Sequence, residues 1–97
     1  VDILTKPDGS AIHGWFFLFI FWQHGEGFAQ YQVVQETEKD IRIKYVKNQL
    51  FNKDVLTAIT NIVKKNVPEW VVKFEEVEFI EKTKGGKQLF IINNLKK

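Results

Sequence analysis

The chain has 97 residues, 44% hydrophobic and 27% charged, which describes one folded domain near the low end of the size at which a single core is stable without staples. Fourteen Lys and Arg against twelve Asp and Glu leave a net charge of +2, spread along the chain, which does not amount to the basic footprint of a nucleic-acid binder and leaves a weak one as a residual reading. With no cysteine there is no disulfide framework, no thiolate nucleophile and no cysteine-based zinc site.

In chain order, the first feature is an opening without methionine, VDILTKPDGS, which carries neither a basic start nor an apolar leader and is expected of a segment of a longer protein. VDILT and AIH flank KPDGS, where Pro7 presets φ, Asp8 supplies a side-chain acceptor and Gly9 a permissive backbone, so a small hairpin is predicted. The run GWFFLFIFW, residues 14–22, is apolar at every position and has no period to assign. It is far shorter than the roughly 20 residues needed to cross a bilayer, so no membrane span is expected and the run is read as core or partner interface. HGEG closes it as a turn. AQYQVVQ and DIRIKYV alternate with period two and are predicted as an antiparallel strand pair joined by ETEK. From about Asp54 to Lys65, the apolar positions Val55, Leu56, Ile59, Ile62 and Val63 lie on one helical face, with Asp54 in the first turn, Lys64 and Lys65 in the last, and Pro68 as a stop. WVVKFEEVEFI alternates with a phase slip near Glu75 and Glu76, which predicts a bulge or bend, and QLFII is the last predicted strand. The expected fold is therefore a single α+β domain over residues 1–97: a small, mostly antiparallel sheet with packed helices, preceded by an N-terminal β-hairpin.

The residues that could carry chemistry are few. EKTKGGKQLF, residues 81–90, places two glycines before Lys87, between two predicted strands. It reads either as a hairpin turn with a solvated lysine or as a loop whose free backbone delivers a cation to an anion. It is no nucleotide-binding Walker loop, which needs Gly at position 81 and Ser or Thr at position 88, where this chain has Glu81 and Gln88. His13 and His24 lack a third convergent ligand, so no metal site is assigned. Glu75, Glu76 and Glu78 form an acidic cluster in which only Glu76 and Glu78 share a strand face, and a solvated edge explains them. The aromatics cluster in one run instead of interleaving with basic residues, unlike single-strand nucleic-acid binders.

The order of PDG, IHG, YQVVQ, IRI, FIEKTKGGK and FII resembles the C-terminal domain of the phenylacetate-coenzyme A ligase-like branch of the adenylate-forming enzymes, over essentially the whole chain. KTKGGK resembles the final core motif of that superfamily, Pro-x-Thr-x-Ser/Gly-Gly-Lys, with Thr83, Gly85, Gly86 and Lys87 in register. VDIL before the Pro-Asp-Gly turn resembles the segment after the interdomain hinge, with Asp2 as the hinge acid. The chain departs from the family pattern at Glu81 (commonly Pro), Phe90 (Arg in many members) and Val1 (often the first hinge acid).

The resemblance implies the mobile C-terminal domain of a two-step, ATP-dependent carboxylic acid-CoA ligase. It implies a large N-terminal domain of the same chain, ATP and coenzyme A as substrates with Mg2+, a small carboxylic acid, and a cytoplasmic setting. Lys87 would be the catalytic lysine of adenylate formation, Thr83, Gly85 and Gly86 its loop, and the turn at Asp8 and Gly9 the part that faces coenzyme A during thioester formation. These 97 residues alone are expected to be inactive and to bind neither ATP nor coenzyme A tightly. Part of the aromatic segment is expected to be exposed or covered by self-association. The rival class is a non-enzymatic α+β ligand-binding or dimerisation module.

Overall fold

In the computed structural model, residues 3–82, 85–86 and 89–95 are described. β1 (Ile3–Thr5) and β2 (Ala11–His13) form the expected antiparallel hairpin, with Leu4 opposite Ile12. Leu4 is fully buried and ties the hairpin to the core.

The aromatic run is helix α1 (Trp15–His24), followed by a single 3-10 turn at Gly25–Gly27. Phe17, Ile20 and Phe21 face inward, while Trp15, Phe19 and Trp22, spaced i, i+4, i+7, form an outward stripe. Only packing separates the two faces, because both are apolar.

β3 (Phe28–Gln35) and β4 (Asp40–Lys47) pair antiparallel from Tyr31 opposite Tyr45 to Gln35 opposite Ile41, with a register shift between Phe28 and Gln30. Thr37 closes their connection: its hydroxyl oxygen accepts from the Lys39 and Asp40 amides and donates to the Asp40 carboxylate. α2 (Asp54–Asn66) starts where the Asn52 side-chain oxygen accepts the Asp54 amide at 2.8 Å. It turns Ile59 and Val63 inward and stops ahead of Pro68. The core joins Ile59 and Val63 to Val33, Ile41, Ile43 and Tyr45 of the sheet, to Phe17 and Phe21 of α1, and to Trp70. Trp70 has no exposed surface, lies stacked with Phe17 at 5.9 Å, and satisfies its indole N–H on the Glu38 carbonyl at 2.9 Å.

The chain is α+β, as expected, with helices on one side of a four-stranded sheet ordered β5-β4-β3-β6, where β5 is Val71–Glu76 and β6 is Ile91–Asn93. The pairing corrects the expectation of a mostly antiparallel sheet. β3 and β4 are antiparallel, but β4 with β5 and β3 with β6 are parallel. The reason lies in the connections: α2 returns the chain to the start of β4's direction before β5 begins, and such a crossover makes neighbouring strands parallel. The phase slip at Glu75 and Glu76 marks the end of β5, since the Val77 amide makes a last bond to the Tyr45 carbonyl and Ile80 then turns into a buried position. β6 is shorter than QLFII implied and is announced by the Val33 amide donating to the Phe90 carbonyl at 2.7 Å.

Candidate functional site

β5 and β6 occupy opposite edges of the sheet, so the residues between them do not close a hairpin. The described residues among them, 77–82, 85–86 and 89–90, belong to a strap that leaves the β5 edge, borders Lys44 and Gln32 of the sheet, and enters the β6 edge. Side chains of β3 alternate between the two faces. Tyr31, Val33 and Gln35 look toward the helices, and Gln30 and Gln32 toward the strap.

Those two glutamines hold the strap. Gln30 Nε2 donates to the Ile80 carbonyl at 3.3 Å and the Ile80 amide donates to Gln30 Oε1 at 3.1 Å, a two-point amide pairing of the kind a neighbouring strand would make. Gln32 Nε2 donates to the Leu89 carbonyl at 3.0 Å. Between strap and sheet lies an open cavity of about 450 Å³, bordered by Gln32, Lys44 and Ile92 of the sheet and by Phe79, Ile80 and Lys82 of the strap, among others.

Gly85 and Gly86 lie in this strap, both exposed, with open space where a Cβ would stand; Gly86 has φ of +80°, a left-handed backbone that favours glycine. Thr83 and Lys87 of the same motif, and the hinge candidate Asp2, lie outside the described residues.

The second candidate element is the turn between β1 and β2. The Gly9 amide donates to the Lys6 carbonyl at 2.9 Å and Gly9 has φ of +91°, so the turn itself requires glycine there. Asp8 Oδ1 accepts from the Ser10 amide at 2.9 Å and from the Ser10 hydroxyl at 2.6 Å. The hydroxyl bond, and then the amide bond, hold the Asp8 carboxyl below its ordinary value of 3.8. The hairpin is fastened by another glutamine: the Thr5 amide donates to Gln35 Oε1 at 2.9 Å and Gln35 Nε2 donates to the Thr5 carbonyl at 2.7 Å. Asn93 Nδ2 adds a bond to the Ile3 carbonyl at 2.8 Å. The two candidate loops are thus fastened to opposite faces of β3.

The remaining candidates are apart from both loops. His13 lies on β2, where Nδ1 accepts the Trp15 amide at 3.1 Å, and His24 ends α1. Glu75 pairs with Arg42 and Glu76 with Lys47 across the exposed β4–β5 edge, at 3.4 and 3.5 Å. Among the described residues, no group of three or more His, Cys, Asp or Glu is placed to hold a metal ion, and no helix is long and apolar enough to cross a membrane. Phe90 packs on Tyr31, ring centroids 5.1 Å apart, and Tyr31 stacks on Phe21 at 4.0 Å. The position where many members of the resembling family carry arginine is thus a core-edge contact here.

Sequence reasoning missed Gln30, Gln32 and Gln35 as individual residues, although YQVVQ was visible as a motif. The available signal was three glutamines in one strand that is otherwise apolar or half-buried, since polar groups taken out of water are normally paired.

The family described as CapK C-terminal domain matches residues 4–94, and the chain belongs to that family. No curated protein matches it.

Proposed function

From membership of the CapK C-terminal domain family, we propose that this chain is the mobile C-terminal domain of an adenylate-forming, ATP-dependent carboxylic acid-CoA ligase of the phenylacetate-CoA ligase type. The observation that carries the reading is the family match over nearly the whole chain. It is supported by the sheet order, in which β5 and β6 lie at opposite edges, so that the Gly-Gly-Lys motif falls in a connection held at Ile80 and Leu89, a setting compatible with delivery of a cation.

In this reading, a carboxylate oxygen of a small acid attacks the α-phosphorus of ATP, a new P–O bond forms, and pyrophosphate leaves. Negative charge gathers where two anions meet, so the Lys87 ammonium aligns the carboxylate and stabilises the transition state. One such contact at about 4 Å and an effective dielectric near 20 amounts to about 4 kcal/mol, or roughly a thousandfold in rate. Mg2+ bound with the nucleotide by the large N-terminal domain would supply further charge neutralisation. A thiol, that of coenzyme A, then attacks the acyl carbonyl and AMP leaves, with the turn at Asp8 and Gly9 facing the incoming thiol. The adenine pocket and the acid pocket belong to the large N-terminal domain, and the exposed stripe of α1 fits a surface covered by that domain or by a second copy. With ATP and coenzyme A as its substrates, the reaction is assigned in this reading to the cytoplasm.

The test is pyrophosphate exchange by the enzyme that contains this domain. Lys87→Ala should lose about 2 to 4 kcal/mol of transition-state stabilisation while transfer from supplied acyl-adenylate to coenzyme A continues. Unchanged exchange would defeat the reading. Calorimetry on the 97 residues alone should show no micromolar ATP binding.

A further inference from the structure

Glutamine side chains of β3 bond the strap at two positions, Ile80 and Leu89, and the motif residues 83–87 fall between them in sequence. Resting on the adenylation reading above, we propose that Gln30 and Gln32 are positioning residues for Lys87: they fasten the strap that bears it, and they act on adenylate formation only through it.

The physical argument starts from what the strap lacks. It follows β5 after Glu76 and precedes β6 at Ile91, and between them no described residue is in a strand or helix. Gly85 and Gly86 add backbone freedom to the connection rather than restraint. A lysine's contribution to a transition state depends on placement within a fraction of an ångström, so the fastening must come from elsewhere. Gln30 provides it with a donor and an acceptor on the same residue, Ile80, which fixes both position and direction of the backbone there. Gln32 is 8% exposed, and its bond to Leu89 holds the far side. The two glutamines are two positions apart on one strand, hence on one face, and that face is the centre of the sheet, bracketed by β4 and β6. The strap is thereby referred to an inner strand of the sheet.

Ile80 is also buried, and Leu89 is two positions before β6, whose start is paired with β3. The glutamine bonds therefore need not decide whether the domain folds. They decide how closely the segment between is held, which is a property that catalysis reads and global stability does not.

The experiment is a double-mutant cycle in the full-length enzyme, with Gln30→Leu, Lys87→Ala and the pair, read in pyrophosphate exchange and in transfer from supplied acyl-adenylate to coenzyme A. Gln30→Leu should slow exchange at least tenfold and leave transfer within about twofold of wild type. The pair should be no slower in exchange than Lys87→Ala alone, because a residue that acts only through Lys87 has nothing further to lose. Gln30→Glu, which keeps the acceptor for the Ile80 amide and loses the donor, serves where the leucine variant folds poorly and should show an intermediate loss. Wild-type exchange by both Gln30 variants, losses that multiply in the pair, or equal slowing of both half-reactions would overturn the inference and leave the role of Lys87 standing. Wild-type exchange by Lys87→Ala would overturn the adenylation reading, and this inference with it.

Discussion

Gln35 has no exposed surface and commits both ends of its amide to the backbone of Thr5, thirty positions away. Replacing it by leucine keeps the volume but strands one N–H and one C=O in a half-buried place, each costing about 1 to 3 kcal/mol. Gln35→Leu should therefore lower unfolding stability by about 2 to 4 kcal/mol in urea titration, and a loss below about 0.5 kcal/mol would mean that the hairpin is held without Gln35, by contacts such as buried Leu4 and the Asn93 bond to Ile3. At Asp8 the bonds from Ser10 favour the carboxylate, so its folded pKa lies below 3.8. The sign follows: whatever the turn gains from Asp8 is present above its ordinary value and is lost as the pH falls through the depressed one. A carboxyl-carbon NMR titration should find Asp8 below 3.8, and Ser10→Ala should raise it; an unmoved value would leave the hydrogen bonds without effect. These residues also mark what was legible. Asp8 and Gly9 could be read because a turn is made by neighbours in sequence. The glutamine bonds span 30, 50 and 57 positions, and no local pattern records a partner so far away.

At the scale of elements, the two helices differ in why they can be read. In α2 the apolar residues keep to one stripe, and the stripe predicted from Val55, Leu56, Ile59, Ile62 and Val63 is the one that packs. In α1 every position from Trp15 to Trp22 is apolar, so the periodic signal vanishes although a helix forms. The sheet was legible as strands but not as a pairing scheme, because the parallel neighbours of β3 and β4 are set by where α2 and the strap return the chain. The outer stripe of α1 has its own consequence. Trp22 is 79% exposed and stacks with Phe19 at 5.9 Å, and together with Trp15 it leaves an apolar surface of the kind that seeks a partner. Trp22→Ser should change the unfolding free energy by less than about 0.5 kcal/mol, whereas Phe17→Ala, on the inner face, should cost about 3 to 5 kcal/mol. Light scattering should show the wild-type chain associating and Trp22→Ser associating less. A monomer in both cases would restrict the stripe to contact with another domain.

For the whole molecule, the decisive feature is that β3 divides the two candidate loops. The hairpin is fastened through Gln35, whose neighbours on that face, Val33 and Ile41, belong to the helix-side core; the strap is fastened through Gln30 and Gln32 on the other face. The fastening points of the two loops thus lie on opposite faces of β3, and in the proposed reading an enzyme that uses both loops would turn the domain between its two steps. In the proposed reading, Gly9 is the position that would isolate the second step. Its φ of +91° is strained for any side chain, but nothing lies within 4 Å of a Cβ there, so Gly9→Ala alters the turn with little new bulk and Gly9→Val adds an obstacle. Both should slow thioester formation, the valine variant by at least tenfold, while pyrophosphate exchange stays within about twofold of wild type. The order of the two variants separates backbone strain from obstruction: equal slowing points to the strained turn, and a much larger loss for valine points to a thiol arm that passes close to the backbone. Losses of equal size in both half-reactions would mean that the faces do not alternate, and the domain would then serve both steps from a single position.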